Sequence, residues 1–216
     1  MLNTIKSYAK INLFLNVVNK LDTGFHELNS VLSRIDLYDE IRIKDESSFS
    51  ISYNGPFGDQ VGSNDHVSKL FNYLIDKNYL KQKSFAIHVV KNIPVGSGLG
   101  GGSSNVAEII KYLIRSNLLD NSSSTEIARD LGSDIEFFID EGSALISGKG
   151  NVDQRLKINS DKHFLIVFPN VQNSTKEIFN KHSNLSGEKF SYNKDTNLDG
   201  ILKNTSNELE KTALLA

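Results

Sequence analysis

Twelve residues near the middle of the chain constrain its fold more than any other stretch. Residues 94–105 read Pro-Val-Gly-Ser-Gly-Leu-Gly-Gly-Gly-Ser-Ser-Asn, so five of the 15 glycines in the chain fall within them. The run follows an alternating apolar segment, residues 84–90, and leads directly into a helical pattern of apolar residues. Glycines let backbone N–H groups converge on an anion, and the positive end of the following helix points at it. The layout predicts a phosphate-binding loop, whereas a flexible glycine-rich linker would need neither strand nor helix.

Three familiar phosphate-binding motifs do not account for this loop. Gly96, Gly98 and Gly101 satisfy G-x-G-x-x-G, but no strand pattern lies between residues 103 and 119, as a dinucleotide-binding unit would require. The P-loop sequence, with Gly-Lys-Ser/Thr at its end, is absent. The chain also lacks the His-Arg-Asp and Asp-Phe-Gly motifs of protein kinases.

Composition narrows the class of protein. Hydrophobic residues make up 38% of the 216 residues and charged residues 23%, as in ordinary globular domains. The net charge of −2 argues against a nucleic-acid or membrane partner, and the absence of cysteine excludes disulfides, thiolate zinc sites and thiol catalysis. The N-terminus is too polar for a signal peptide and no apolar run reaches 18 residues, so we expect a cytoplasmic enzyme.

Apolar periodicity predicts a mixture of strands and helices joined by short loops. The predicted strands are residues 5–18, 28–37, 40–44, 49–53, 84–90 and a buried strand at 164–168. The predicted helices are 67–75, 106–114, 125–131 and a last one from about 207. Ser123 and Glu126 are spaced as a capping box. The polar stretch 150–162 predicts a boundary between domains 1–155 and 156–216.

Several further motifs, taken with the glycine run, resemble the GHMP small-molecule kinases. These motifs are Ala9-Lys10-Ile11-Asn12-Leu13-Phe14-Leu15, Asp22-x-Gly24-Phe25-His26, Leu131-Gly132-Ser133-Asp134 and Pro169-Asn170-Val171 followed by Thr175 and Phe179. The resemblance covers essentially the whole chain. It implies an α+β fold, with an N-terminal domain like the second domain of ribosomal protein S5 and a ferredoxin-like C-terminal domain.

The same resemblance implies an activity. It points to the branch that uses ATP and Mg²⁺ to phosphorylate the 2-hydroxyl of 4-diphosphocytidyl-2-C-methyl-D-erythritol, in non-mevalonate isoprenoid precursor biosynthesis. This cytidine-diphosphate-linked methylerythritol would be the small-molecule partner of a monomer or weak homodimer that binds no nucleic acid and no membrane. The alternatives are a related kinase that acts on mevalonate, homoserine or a sugar, or a nucleotide-binding chain with little activity.

Two residues are the candidates for catalysis. Asp134 stands at the position of the family's general base, although from the residues alone a turn-forming aspartate after glycine is the simpler interpretation. Lys10 lies in the middle of a predicted strand, where the alternative is an exposed edge-strand lysine. A lysine ammonium beside Asp134 would keep the carboxylate ionised and stabilise charge in the transition state.

The candidate ATP-binding residues surround the glycine run. Lys91 precedes the loop and could approach the nucleotide, or it could be a solvated lysine at a strand end. The Ser104 hydroxyl could bind phosphate or magnesium, or it could simply cap the helix. The full set is Lys91, Pro94, Gly96, Ser97, Gly98, Leu99, Gly100, Gly101, Gly102, Ser103, Ser104 and Asn105.

The candidate acceptor-binding residues come from three other motifs. The resemblance places the cytosine ring against Phe25, His26 and Phe179, since aromatic stacking suits a base. Asn12 shares a strand face with Lys10 and could hydrogen-bond the substrate, and Thr175 is a further candidate. From sequence alone, core packing is the simpler explanation of both phenylalanines.

The chain departs from the family pattern in three places. Glu136 stands where proline is usual, and its carboxylate could raise the pKa of Asp134 or point away from it. Asn64-Asp65 replaces the usual Asp-Asn, which puts the adenine contacts in doubt. Family members carry a third glycine-rich motif near the C-terminus and these 216 residues end before one, so we expect an incomplete C-terminal domain.

Overall fold

The chain forms two compact units in a computed structural model. The structure describes residues 4–22, 24–81, 85–158, 162–169, 175–183, 185, 189, 198–203 and 206–215. Unit 1 comprises residues 1–9, 35–95 and 99–140, and unit 2 comprises residues 10–34, 96–98 and 141–216. Two long strands, β1 (Thr4–Lys20) and β2 (His26–Asp45), pair with each other and contribute residues to both units. The predicted division into domains 1–155 and 156–216 is a different one and stays a prediction.

Unit 1 combines a small mixed sheet with helices. Its elements are the end of β2, β3 (Ser50–Asn54), α1 (His66–Asp76), β4 (Phe85–Val90), α2 (Gly101–Arg115), α3 (Ser124–Leu131) and α4 (Ile135–Ile139). Strand β4 pairs antiparallel with β2, from Glu40↔Val90 to Asp45↔Phe85. It pairs parallel with β3, which the crossover through α1 makes possible.

Three helices of unit 1, α1, α2 and α3, form where the apolar periodicity predicted helices. Helix α1 buries Val67, Leu70, Phe71 and Leu74, which recur at helical spacing. Helix α2 packs against α1 and α4, and α4 in turn packs against α3. Phe137 and Phe138 are buried and belong to α4. This packing fixes α2, and with it the end of the glycine run, within unit 1.

Unit 2 contains the start of β2, most of β1 and a hairpin. Its other elements are β5 (Ser143–Gly148), β6 (Asn151–Leu156), α5 (Thr175–Lys181), α6 (Leu198–Lys203) and α7 (Glu210–Leu214). Strand β5 pairs antiparallel with β2, from Leu28↔Gly148 to Leu32↔Ala144, and with β6. The buried cluster consists of Leu13, Phe14, Val31, Leu156, Leu198 and Ile201.

The structure corrects four sequence-based expectations. Residues 28–37 and 40–44, predicted as two strands, form one continuous strand, in which Asp39 is buried and hydrogen-bonded. Strand β6 was missed because its residues are polar and mostly exposed at the edge of the hairpin. The predicted capping box does not form: Ser123 makes no side-chain cap, and a short 3-10 helix, Asn121–Ser123, precedes α3.

The fourth correction concerns residues 164–168, whose prediction as a buried strand is wrong. Within the described residues this segment belongs to no strand, and Leu165 is 90% exposed. An apolar run becomes a buried strand only when neighbouring strands satisfy its backbone and cover its side chains. The described part of unit 2 supplies no such neighbour to this segment.

The Asp65 carboxylate caps α1, and this contact predicts a pH-dependent contribution to stability. Burial alone would raise the pKa of Asp65, but hydrogen bonds from Ser68, Tyr53 and the backbone of Val67 outweigh it and hold the pKa below 3.8. A carboxyl with a lowered folded-state pKa contributes stability that is present above the unfolded value and lost as pH falls through the folded one.

We therefore expect Asp65→Ala to lower the free energy of unfolding by about 1–2 kcal/mol at pH 7. The difference from the unaltered chain should shrink below about pH 4, as the carboxyl becomes protonated in both states. Denaturant unfolding followed by circular dichroism at several pH values measures both effects. A deficit that stayed constant down to pH 2 would contradict a role for the carboxylate charge.

Candidate active site

The glycine run adopts a backbone that only glycine accommodates easily. Gly96, Gly98 and Gly100 have φ angles of 70°, 75° and 73°, in the left-handed region. Gly100 is the N-cap of α2, so the run ends at the positive end of a 15-residue helix. The local geometry expected of a phosphate-binding loop is therefore present between residues 94 and 105.

Close packing explains the next two glycines. A Cβ atom on Gly101 would lie 2.9 Å from Ile93 Cγ2 and 3.0 Å from Lys91 Nζ. A Cβ atom on Gly102 would lie 3.0 Å from the His66 ring at the start of α1. The first turn of α2 therefore has no room for side chains at these positions, and it lies against the end of β4 and the start of α1.

A buried ion pair lies beneath the first turn of α2. The Lys91 ammonium group contacts the Asp39 carboxylate, and the two residues are 3% and 0% exposed. Asp39 Oδ1 also accepts the backbone N–H groups of Asn92 at 2.8 Å and Ile93 at 2.9 Å. Lys91 is therefore not the solvated strand-end lysine considered as an alternative, and its ammonium lies next to Gly101.

Two of the predicted ATP-binding residues continue this buried polar network. With its amide oriented to satisfy its neighbours, Asn105 Nδ2 donates to Asp39 Oδ2 at 3.1 Å, to Ser7 Oγ at 2.8 Å and to the Gly101 carbonyl at 3.1 Å. The Ser7 hydroxyl donates to Ser104 Oγ at 2.8 Å. Both Ser104 and Asn105 are buried, whereas Ser103 is only partly buried.

Lys10 is the first donor in a second series of hydrogen bonds, which lies in unit 2. Its ammonium donates to Asn12 Oδ1 at 2.8 Å, and Asn12 Nδ2 donates to Ser30 Oγ at 2.9 Å. Ser30 in turn donates to the Phe14 carbonyl. Lys10 is 6% exposed, so the alternative of an exposed edge-strand lysine is wrong.

Asp134 lies at the start of α4 in unit 1. It is the N-cap of that helix and is partly buried, and its side chain makes no cap hydrogen bond. Two residues along the chain, the Glu136 carboxylate accepts two hydrogen bonds from Arg129, of 2.8 and 3.0 Å. Glu136 therefore forms an ion pair with α3.

The aromatic candidates for acceptor binding lie in unit 2. The His26 and Phe179 rings stack with their centroids 5.4 Å apart, so the structure brings these two together. Burial lowers the pKa of His26 below 6.5, and Lys20 and His182 lower it further, which favours a neutral imidazole. Phe25 is 60% exposed, with the Lys149 ammonium 4.8 Å from its ring centroid. Thr175 begins α5, but its side chain lies outside the described residues.

Three residues at the glycine run were missed by the sequence analysis. Asp39 and Ser7 anchor the first turn of α2 from below, and His66 contacts it from α1. The sequence analysis assigned no role to Asp39, which lies between two of the predicted strands and is buried in the structure. In the Asn64-Asp65 pair, the Asp65 side chain caps α1.

The tight fit at Gly101 predicts a loss of stability on adding a single methyl group. At a solvent-exposed helix position, replacing glycine with alanine stabilises the helix. At position 101 the new Cβ would instead overlap Ile93 and Lys91. We expect Gly101→Ala to lower the free energy of unfolding by about 1–3 kcal/mol. Gly62→Ala is the matched control, because a Cβ there has nothing within 4 Å, and we expect it to be close to neutral. Equal effects of the two variants on urea unfolding would contradict the packing argument.

Comparison with known proteins agrees with this geometry. Residues 65–145, which contain α1, the glycine run, α2 and Asp134, match the GHMP kinases N terminal domain. A crystal structure of 4-(cytidine 5'-diphospho)-2C-methyl-D-erythritol kinase shares the fold, with a TM-score of 0.70 and 24% sequence identity over 99% of this chain and 78% of that one. The predicted α+β GHMP kinase fold is confirmed.

Sequence relatives are closer. The 4-diphosphocytidyl-2-C-methyl-D-erythritol kinase of Pelagibacter ubique (strain HTCC1062) is 36% identical over 215 residues, or 97% of this chain and 76% of the relative. The kinase of that name from Prochlorococcus marinus (strain MIT 9301) is 38% identical over 183 residues, or 83% of this chain and 59% of the relative. The chain therefore belongs to the 4-diphosphocytidyl-2-C-methyl-D-erythritol kinase family of GHMP kinases.

Proposed function

We propose that the chain transfers the γ-phosphoryl group of ATP to the 2-hydroxyl of 4-diphosphocytidyl-2-C-methyl-D-erythritol. The observation that carries the proposal is the glycine run, whose left-handed glycines end at the positive end of α2 in a chain of this kinase family. Phosphoryl transfer needs a cradle for the donor phosphates, cations that offset charge, and a group that takes the proton of the acceptor hydroxyl. The predicted site residues can be assigned to these three needs.

We assign the donor phosphates to the backbone of the glycine run and to the start of α2. Side-chain contacts at Ser104 and Asn105 are directed into the protein, so these two support the loop, and the partly exposed Ser103 hydroxyl is better placed for a ligand. Lys91 would add positive charge at Gly101, although its ammonium is held by Asp39. The sequence-based assignment of Pro94, Ser97 and Leu99 to the loop that surrounds the phosphates is retained.

Magnesium fits this donor set as an ion held mainly by phosphate oxygens and water. Among the described residues, no group of three or more His, Cys, Asp or Glu side chains could hold a metal ion. The Ser104 hydroxyl is buried against Ser7, and its predicted contact with magnesium stays a prediction. When bound with ATP, the ion would offset charge on the β- and γ-phosphates.

For the chemical step we propose Asp134 as the general base. Its carboxylate would accept the proton of the acceptor's 2-hydroxyl while that oxygen bonds to the γ-phosphorus and the bond to the bridging oxygen of ADP breaks. We propose Lys10 as the cation that stabilises the developing charge, since its ammonium is buried and is oriented by the hydrogen bond to Asn12.

For the acceptor's cytosine we propose the cluster of His26, Phe179 and Phe25. The first two already form a stack and Phe25 offers an open aromatic face. Asn12 and Thr175 are proposed to contact the rest of the acceptor. Such a cluster suits a flat base and has no purpose for mevalonate or homoserine.

In the described part of the chain, no helix combines the length and the apolar character that a membrane span needs. We propose a cytoplasmic enzyme that acts on a small molecule, as a monomer or weak homodimer that does not bind nucleic acid. The overall charge of −2 is consistent with the last point.

A choice among acceptors tests this function directly. With ATP and magnesium, we expect this chain to release ADP with 4-diphosphocytidyl-2-C-methyl-D-erythritol and not with mevalonate or homoserine, in a coupled assay. Turnover with mevalonate instead would show that the acceptor is assigned wrongly, while the assignment as a kinase would stand. ATP binding without turnover of any acceptor would identify a nucleotide-binding protein with little catalysis.

The assignment of the general base predicts a selective loss of the chemical step. We expect Asp134→Ala to reduce kcat by about 10²–10⁴-fold while ATP still binds with near-normal affinity. Glu136→Gln is the control, because it removes a neighbouring carboxylate that Arg129 already holds, and it should keep most of kcat. Steady-state kinetics together with calorimetric ATP binding separate these outcomes. A near-normal kcat for Asp134→Ala would remove the base from the mechanism.

A further inference from the structure

Asp39 is a buried carboxylate to which the kinase chemistry above gives no role. It lies within β2, is completely inaccessible to solvent, and accepts four donors with its two oxygens. Oδ1 takes the backbone N–H groups of Asn92 and Ile93, and Oδ2 takes the Lys91 ammonium and the Asn105 amide. A carboxylate is buried at a high desolvation cost, so such complete satisfaction marks a site whose geometry matters.

The four donors all belong to the two ends of the glycine run. Residues 91–93 form the segment that leaves β4 and enters the run, and Asn105 lies in α2, where the run ends. Asp39 therefore ties the beginning and the end of the loop to a strand in the middle of the sheet. Ser7 on β1 supports the same arrangement from the other side of Asn105.

Charge explains why this position holds an acid. The Lys91 ammonium lies next to Gly101, at the end of α2 where the helix dipole is positive, and a lone cation there is unfavourable. The Asp39 carboxylate offsets that charge and leaves the backbone of Gly100–Gly102 free to serve an anion. Asparagine would keep the shape but would leave a buried ammonium without a counterion.

We propose that Asp39 is a positioning residue for ATP: it contacts no ligand, but it fixes the spacing between residues 91–93 and α2, and so the shape of the phosphate loop. The inference rests on the proposed function only for the expected change in KM for ATP. Its structural part, that the order of the loop depends on the Asp39 carboxylate, can be measured without substrate.

The test compares Asp39→Asn with a matched control on the same helix. Glu108→Gln also removes the carboxylate of an ion pair, since Glu108 is paired with Lys111, but this pair is only partly buried and lies beyond the first turn of α2. We expect Asp39→Asn to raise KM for ATP at least tenfold and to change KM for the acceptor less than twofold. Glu108→Gln should lower Tm as well, but should leave both KM values within twofold of the unaltered chain.

Hydrogen exchange provides the measurement that does not need activity. In the nucleotide-free protein, we expect Asp39→Asn to speed amide exchange in peptides covering residues 91–105 at least tenfold relative to the unaltered chain. Glu108→Gln should leave that segment unchanged. A chain that turns over no acceptor would refute the proposed function, while the exchange result would still decide the role of Asp39.

Ser7→Ala keeps the test decisive if Asp39→Asn does not fold. Ser7 is buried beneath the loop and bonds only to its supporting side chains among the contacts described above, and losing one hydroxyl is a mild change. We expect a two- to fivefold rise in KM for ATP, an unchanged KM for the acceptor, and faster exchange at residues 101–105. Folded variants of Asp39 or Ser7 with normal KM for ATP and normal exchange across 91–105 would overturn the proposal.

Discussion

The contact on which the rest of unit 1 depends is the one between the Asp39 carboxylate and the Lys91 ammonium. Both groups are buried, and removing either one would leave the charge of the other buried and uncompensated. Because the same carboxylate also holds the backbone of Asn92 and Ile93, the pair joins the sheet to the loop that leaves it. The glycines above it can then be conformationally unusual without being disordered, since their two ends are fixed.

Residues that belong to one sequence motif have different structural roles in the glycine run. The glycines at 96, 98 and 100 give the loop its backbone shape, whereas Gly101 is required by its neighbours Ile93 and Lys91. Ser104 and Asn105 look like ligand-binding residues in the sequence, but their side chains support the loop from inside. The proposal of a phosphate loop thus rests on the backbone of the run, whereas the side chains of Ser104 and Asn105 are held by contacts inside the protein.

The sequence predicted best what is repeated locally. Helices α1 and α2 follow from apolar residues at helical spacing, and the glycine loop follows from its position between a strand and a helix. Asp39 was missed because its partners lie 52 or more residues away along the chain, beyond any local pattern. The prediction of a buried strand at residues 164–168 was wrong for the opposite reason. An apolar run favours burial, but the local pattern does not show whether a neighbouring strand lies beside it.

The uninterrupted course of β2 limits which changes of length the chain can tolerate. The strand begins with His26 and carries Asp39 thirteen positions later, and each of the two has its own partners. Side chains alternate between faces, so removing one residue between them would turn one end of the strand over relative to its ladder. A single-codon deletion in this stretch would separate either the histidine or the aspartate from its partners.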